Sequence, residues 1–418
     1  MDERPRNLKA MLSEAKDTSE LMVDLGYAAL FFGDLAMAEE VVELEERLTA
    51  LIHEMRAICV LAGRSPRDAD ELAGVLGIVA AIERMGNAAV DVARIVTHRL
   101  GIPNALVADL AAAEEVSHRV RVREDSGMAH RRLADLELPT EMGMRVVALR
   151  RGKEWTIDPD GDEVLLPDDV LITRGPGGGI AELRELAGAP EWRAGTFEED
   201  TAVTDLDRAV DVLVEMKNIS EVAVGLAYSA VLFKDQGLAA EVSHLEDRLD
   251  EMKERLEVWV LRSAADTLDP SGLRGLIHLG GAAEEIGDAA QAMVWLVEQG
   301  EEIHPVLAYA FGESDEIIVG VPVAPGSPLD GKTLAEANLE LETGFYLLAV
   351  RRGGRYIYRP RGRVKLEAGD ALIASGPDEG HARLAELGGF RLVDDEETGE
   401  CELVPAGVTR GSTASPSS

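Results

Sequence analysis

Two pairs of carboxylates carry the clearest candidate chemistry of this chain: Glu246 with Asp250 in HLEDRLDEM, and Glu284 with Asp288 in EEIGDAA. Residues four apart on a helix share one face, so two such helices side by side can gather oxygen ligands around a hard cation such as Mg²⁺ or Mn²⁺, or around iron. A solvated acidic face is the competing reading, because the chain holds 78 Asp and Glu residues. Catalytic constellations are absent from the sequence. The eight His residues show no i, i+4 pair and no Gly-x-Ser-x-Gly partner, which speaks against a zincin or a hydrolase. GPGGGI at 175–180 is Gly-rich, but it lacks the Lys-Ser/Thr ending of a phosphate-binding loop and reads as a turn.

Composition narrows the partners. With 42 basic and 78 acidic residues the formal charge is −36, so no basic footprint for nucleic acid exists. Only 8 of the basic residues are Lys, and the acids are spread along the whole length. Such a surface repels itself at low ionic strength and is screened in molar salt, which points to a salty cytoplasm. No stretch approaches the roughly 18 unbroken apolar residues of a membrane span, and the first residues lack a secretory apolar region, so a cytoplasmic location is expected. Cys59 and Cys401 support neither a disulfide framework nor a cysteine zinc site.

The elements that must position these groups are written twice. Residues 16–48 align with 217–249 at 16 of 33 identical positions, at an offset of 201. The offset continues through Glu83/Glu284, Gly143/Gly344, Arg150/Arg351 and Pro159/Pro360, so a two-part module is duplicated in tandem. Its first part, 6–100 and again 205–300, has apolar residues at helical spacing and breakers at Gly63–Pro66 and 269–272, which predicts a three-helix bundle. Its second part, 105–188 and 303–388, changes period toward two. GMRVVALRRGKEWTIDP and GFYLLAVRRGGRYIYRP read as hairpins, each followed by an Asp-containing turn, a third strand and a short helix. The fold class is therefore multidomain α and α+β, and the Ser/Thr/Gly/Pro-rich residues 396–418 are expected to be a disordered tail.

At these residues two families are resembled. SPLDGKTLAEANLELETGFYLLAVRRGGRYIYRPRGRVKLEAGDALIASGP resembles the TrkA C-terminal (RCK) domain, the regulatory module of potassium channels and transporters; the first copy follows the pattern with Pro328 read as Met128 and Gly331 as Arg131. The helical part resembles PhoU, whose bundles carry Glu-x-x-x-Asp signatures on two helices. The second copy has both signatures, whereas the first has Glu45 with Thr49 and Glu83 with Asn87, and Asp91 as a partial substitute. The resemblance to the TrkA C-terminal domain implies a ligand or dimerisation groove along the first hairpin strand. The matching positions are Leu347, Leu348, Arg351, Ile357 and Pro360, and in the first copy Val146, Val147, Arg150, Ile157 and Pro159. These would form an apolar shelf with a cationic edge, and cyclic di-AMP is the ligand implied for a groove shared by two such domains.

The function implied is a soluble regulatory subunit that senses a small ligand or ion and adjusts a membrane transporter or channel for potassium or magnesium. A PhoU-like adaptor in phosphate uptake is the alternative, with the hairpin domains as dimerisation scaffold; an enzyme is not expected. NAD is not expected either, since no Gly-x-Gly-x-x-Gly begins either repeat. A homodimer is compatible with this reading.

Overall fold

Helix caps encoded in the sequence fix the ends of the first bundle. In the computed structural model α1 (Leu8–Phe32) starts where the Asn7 side chain accepts from the Ala10 N–H and stops at Gly33, whose left-handed backbone suits glycine. Asp34 caps α2 (Leu35–Ala62), and Ser65, followed by Pro66, caps α3 (Pro66–Thr97). The structure describes residues 7–103, 106, 110, 115–152, 154–190, 204–266, 270–312, 314, 316–394 and 401–406. Repeat two reproduces the bundle as α6 (Asp205–Phe233), α7 (Gln236–Asp266) and α8 (Arg274–Gln299), with a Thr204/Asp207 capping box at the start. Among the described residues α3 alone is long and apolar enough to cross a membrane by length and composition, and more than half of its apolar window is buried inside the bundle.

Each bundle is followed by a four-stranded antiparallel sheet. In repeat one β1 (Glu115–Arg121), β2 (Arg145–Arg151), β3 (Glu154–Ile157) and β4 (Val170–Pro176) lie in the order β1-β4-β2-β3, with short helices α4 (Leu138–Met142) and α5 (Ile180–Leu186). After α9 (Pro305–Phe311), repeat two places β5 (Glu316–Pro322), β6 (Tyr346–Arg352), β7 (Arg355–Tyr358) and β8 (Ala371–Pro377) in the matching order β5-β8-β6-β7. Its helices are α10 (Leu334–Ala337), α11 (Leu339–Thr343) and α12 (Asp378–Gly388). The alternating three-helix bundles and α+β domains expected from the sequence are thus present.

Two elements depart from the sequence expectation. Cys401–Pro405 forms β10, paired antiparallel with β9 (Phe390–Asp394), inside the segment expected to be a disordered tail; the rest of 396–418 lies outside the described residues. The short helix α9 was not anticipated. It inserts Phe311, fully buried, edge-on against Tyr228 at 4.9 Å between ring centroids.

Both bundles and the inner faces of both sheets share one hydrophobic core, and the outer face of each sheet packs under its own short helices in a separate core. A pseudo-two-fold axis relates the repeats. Lys16 lies over the Tyr228 ring at 5.1 Å and Lys217 over Tyr27 at 5.7 Å. In the same way Gly143 approaches the Glu340 backbone while Gly344 approaches that of Pro139.

Candidate functional site

The carboxylate cluster is assembled in repeat two. Glu246, Asp250 and Asp288 bring ligand oxygens within 4.8 Å of one another, from α7 and α8. Their mutual crowding is visible in Glu246, which burial, and then Asp250 and Asp288, push above the usual carboxylate range. Glu246 accepts from Gln291 Nε2 at 2.7 Å. Glu284, the fourth residue expected there, instead pairs with Lys253 at 2.8 Å. In repeat one Thr49 donates to Glu45 at 2.8 Å and Glu83 pairs with Arg56, so three of the four equivalent positions are engaged in local bonds.

Asp288 also belongs to the contact between bundles. Arg84 of α3 donates from Nη2 to Asp288 at 2.8 Å and from Nε to Glu285 at 2.8 Å. A cation held by Asp288 would compete with this guanidinium, so the cluster is wired to the bundle interface.

The apolar shelf is corrected by the structure. Val146 and Leu347 are 8% exposed, Val147 and Leu348 2%. A β-bulge at Val147 and another at Leu348 send these two residues into the shared helical core, whereas Val146 and Leu347 stay in the outer sheet cores. The ladders also place Ile157 opposite Ala148 but Ile357 opposite Val350, so the two isoleucines are not equivalents; a slip of one residue turns a side chain to the other face. The arginines do not converge. Arg150 reaches Asp34 at 3.7 Å and covers the Trp155 ring at 5.4 Å. Arg351 is paired in the ladder with Tyr356, whose hydroxyl donates to Asp235, the counterpart of Asp34. Each arginine therefore serves the helical turn of its own repeat.

The two α+β domains nevertheless pair within the chain, and they enclose a groove of about 1360 Å³ along α4, α11 and α12. Of the ten shelf residues it contains Val146 and Pro159 alone, and its lining has nine carboxylates against Arg145 and Arg383. That charge repels the phosphates of cyclic di-AMP.

A second cavity, about 120 Å³, sits near the axis where α1, α6 and both sheets meet. Its wall includes Glu20, Asp24, Arg174, Asn218, Glu221 and Glu316. Arg174 donates to Asp24 and lies 3.7 Å from Glu221, and Lys16, almost fully buried, donates to Glu20 at 2.7 Å and to the Glu316 carbonyl at 3.0 Å. Arg145 bridges Glu316 and Asp158, each at 3.1 Å. Asn218 Oδ1 is buried without a hydrogen-bond partner among the described residues. The cavity arises from the repeats' divergence, since Gly225 and Ser375 stand where repeat one has Asp24 and Arg174. The sequence reading missed this network, although these very departures from the repeat were the signal for it.

Burial, partly opposed by Lys16 and reinforced by Glu316, pushes the Glu20 carboxyl up to about 7 from 4.5. Its folded pKa exceeds its unfolded one, so the folded state holds the extra proton between the two values, and stability falls as pH rises from about 4.5 and levels off above about 7. Glu20→Gln should flatten the fall in melting temperature between about pH 4.5 and 7 relative to the parent. Equal slopes for the two proteins across that range would refute the assignment.

The PhoU domain model matches residues 12–96 and 213–296, and the TrkA-C domain model matches 118–188 and 318–388. Ktr system potassium uptake protein C of Bacillus subtilis (strain 168) is 32% identical over 85 residues, which cover 20% of this chain and 38% of that protein. The chain thus spans well under half the length of this relative. The crystal structure of PhoU from Pseudomonas aeruginosa is 16% identical, with 70% of this chain and 96% of that one covered at a TM-score of 0.38. The GsuK RCK domain is 14% identical, covering 73% and 78% at a TM-score of 0.18.

Proposed function

We propose that this chain, which carries two PhoU domains and two TrkA-C domains, is a cytoplasmic regulatory subunit that senses a cation and modulates a membrane transporter or channel for potassium or another cation. The observation that carries the sensing step is Asp288, shared between the carboxylate cluster of repeat two and Arg84 of repeat one. Cation binding would draw Asp288 away from Arg84 and loosen one bundle against the other. Both bundles share a core with both sheets, so that change reaches the TrkA-C pair. The similarity to a potassium uptake protein supports the transport side of the reading.

Hard divalent ions suit three carboxylates. Mn²⁺ or Mg²⁺ at 100 times its dissociation constant should stabilise the protein by about 2.7 kcal/mol. Asp288→Ala should abolish that gain, and Arg84→Gln, which removes the competitor, should tighten binding. A melting temperature indifferent to both ions would sink the cation site. For the transport role, deleting the gene should alter rubidium uptake at limiting potassium; a defect confined to phosphate uptake would overturn the potassium reading in favour of the adaptor one.

A further inference from the structure

A strictly two-fold molecule would carry a second arginine at its axis. Arg174 of β4 donates to Asp24 of α1 and lies 3.7 Å from Glu221 of α6, so one guanidinium joins the helices of both repeats. The offset of 201 carries Arg174 to Ser375, Asp24 to Gly225 and Glu221 to Glu20. All three counterparts line the central cavity of about 120 Å³, so the cavity lies where the second guanidinium would be housed. The arginine is gone from repeat two, but acceptors for it remain. Asn218 is nine-tenths buried and lines the same cavity, and its Oδ1 has no hydrogen-bond partner among the described residues. A buried acceptor of this kind calls for a donor. The charge is also short of a cation: Glu20, Asp24, Glu221 and Glu316 in the wall, with Asp17 and Asp158 beside them, are six carboxylates that share Lys16, Lys217, Arg145 and Arg174.

We propose that this cavity binds a small guanidinium compound, whose planar head takes the place that the repeat would give to an arginine at position 375 and donates to Asn218 Oδ1 and the Glu20 carboxylate. Guanidinium presents its N–H donors in a fixed plane and is more weakly hydrated than ammonium, so it suits a site that is part acidic and part apolar. Met85, Ile286 and Leu348 supply the apolar part. The volume corresponds to about four waters at roughly 30 Å³ each, which admits the head and a short alkyl group and little more. Occupancy would tie α1 of repeat one to α6 and β8 of repeat two, in the manner in which Arg174 already ties α1 and α6 to β4. The site is separate from the carboxylate cluster of α7 and α8, and the inference goes beyond cation sensing there.

Calorimetry and thermal melts on the full chain test the assignment, at fixed KCl and with EDTA present so that divalent binding at Asp288 plays no part. The titrants are methylguanidinium, urea and methylammonium at millimolar concentration, far below denaturing levels. Methylguanidinium should bind at one site per chain and raise the melting temperature. Urea has the plane without the charge and methylammonium the charge without the plane, and each should bind at least about tenfold more weakly. Ser375→Arg supplies the guanidinium covalently and should abolish binding. Asn218→Ala removes an acceptor that has no partner in the protein, so it should fold with an unchanged melting temperature and bind methylguanidinium at least about tenfold more weakly; it decides the matter even where Ser375→Arg does not fold. Absence of methylguanidinium binding, urea or methylammonium binding as tightly, or undiminished binding in Asn218→Ala would overturn the proposal.

Discussion

Replacing Gly344 with valine should unseat the two TrkA-C domains from one another and cost about 2–4 kcal/mol of stability. Two effects add. The backbone at Gly344 has φ +73, where a side chain, β-branched above all, is strained. An added Cβ would stand 2.9 Å from the Pro139 carbonyl oxygen of the other repeat and 3.0 Å from Pro377 Cγ, and backbone cannot step aside as a flexible side chain can. Gly353 separates the two effects: its φ is +54, yet nothing lies within 4 Å of a Cβ there, so Gly353→Val carries the backbone strain alone. The Gly344 variant should melt lower than the Gly353 variant and show an enlarged radius in solution scattering. If the two melt together and scatter alike, the pairing seen along α4 and α11 is not what holds the domains.

The duplication made most of the architecture legible before any coordinates, because a repeat of 201 residues ties each ambiguous segment to a second copy with different side chains. Caps such as Asn7, Asp34 and the Thr204/Asp207 pair are local, and local signals survive in sequence. Strand facing was less legible. The pairing of Ile157 with Ile357 was one residue out, and so was the entry loop: His130, not Arg131, occupies the left-handed position of Gly331. Period-two structure punishes such slips, and the bulges at Val147 and Leu348 leave no compositional mark. Three of the four expected metal ligands converge because helical spacing fixes them, but Glu284 is claimed by Lys253, a competition between helices that spacing cannot show. For the same reason Arg84 on Asp288 and Arg174 on Asp24 were invisible: they join residues more than a hundred positions apart.

The Asp-containing turn before the fourth strand of each TrkA-C domain reads from sequence as a turn, and the structure gives its buried carboxylate a second duty. Asp370, 1% exposed, accepts from Arg352 Nε and Nη2, both at 2.7 Å, and from the Glu367 N–H at 2.9 Å. Asp169 repeats the arrangement with Arg151 at 3.0 and 2.7 Å and the Leu166 N–H at 2.7 Å. One buried carboxylate thus closes its own turn and anchors the end of β6 or β2 to it. Asp370→Ala would leave three donors without their acceptor. Loss of one partner of a fully buried pair costs about 3–5 kcal/mol, and since Arg352 is about one-third exposed and can regain water, about 2–4 kcal/mol is expected here. Asp370→Asn should recover little, because its amide turns a donor toward a donor. Asp370→Ala combined with Arg352→Leu should be less destabilised than the sum of the single changes, since the guanidinium that needed the carboxylate is gone. Strict additivity in that cycle, read from urea midpoints with unchanged slopes, would mean that the pair contributes no coupling and that Asp370 acts through its turn alone.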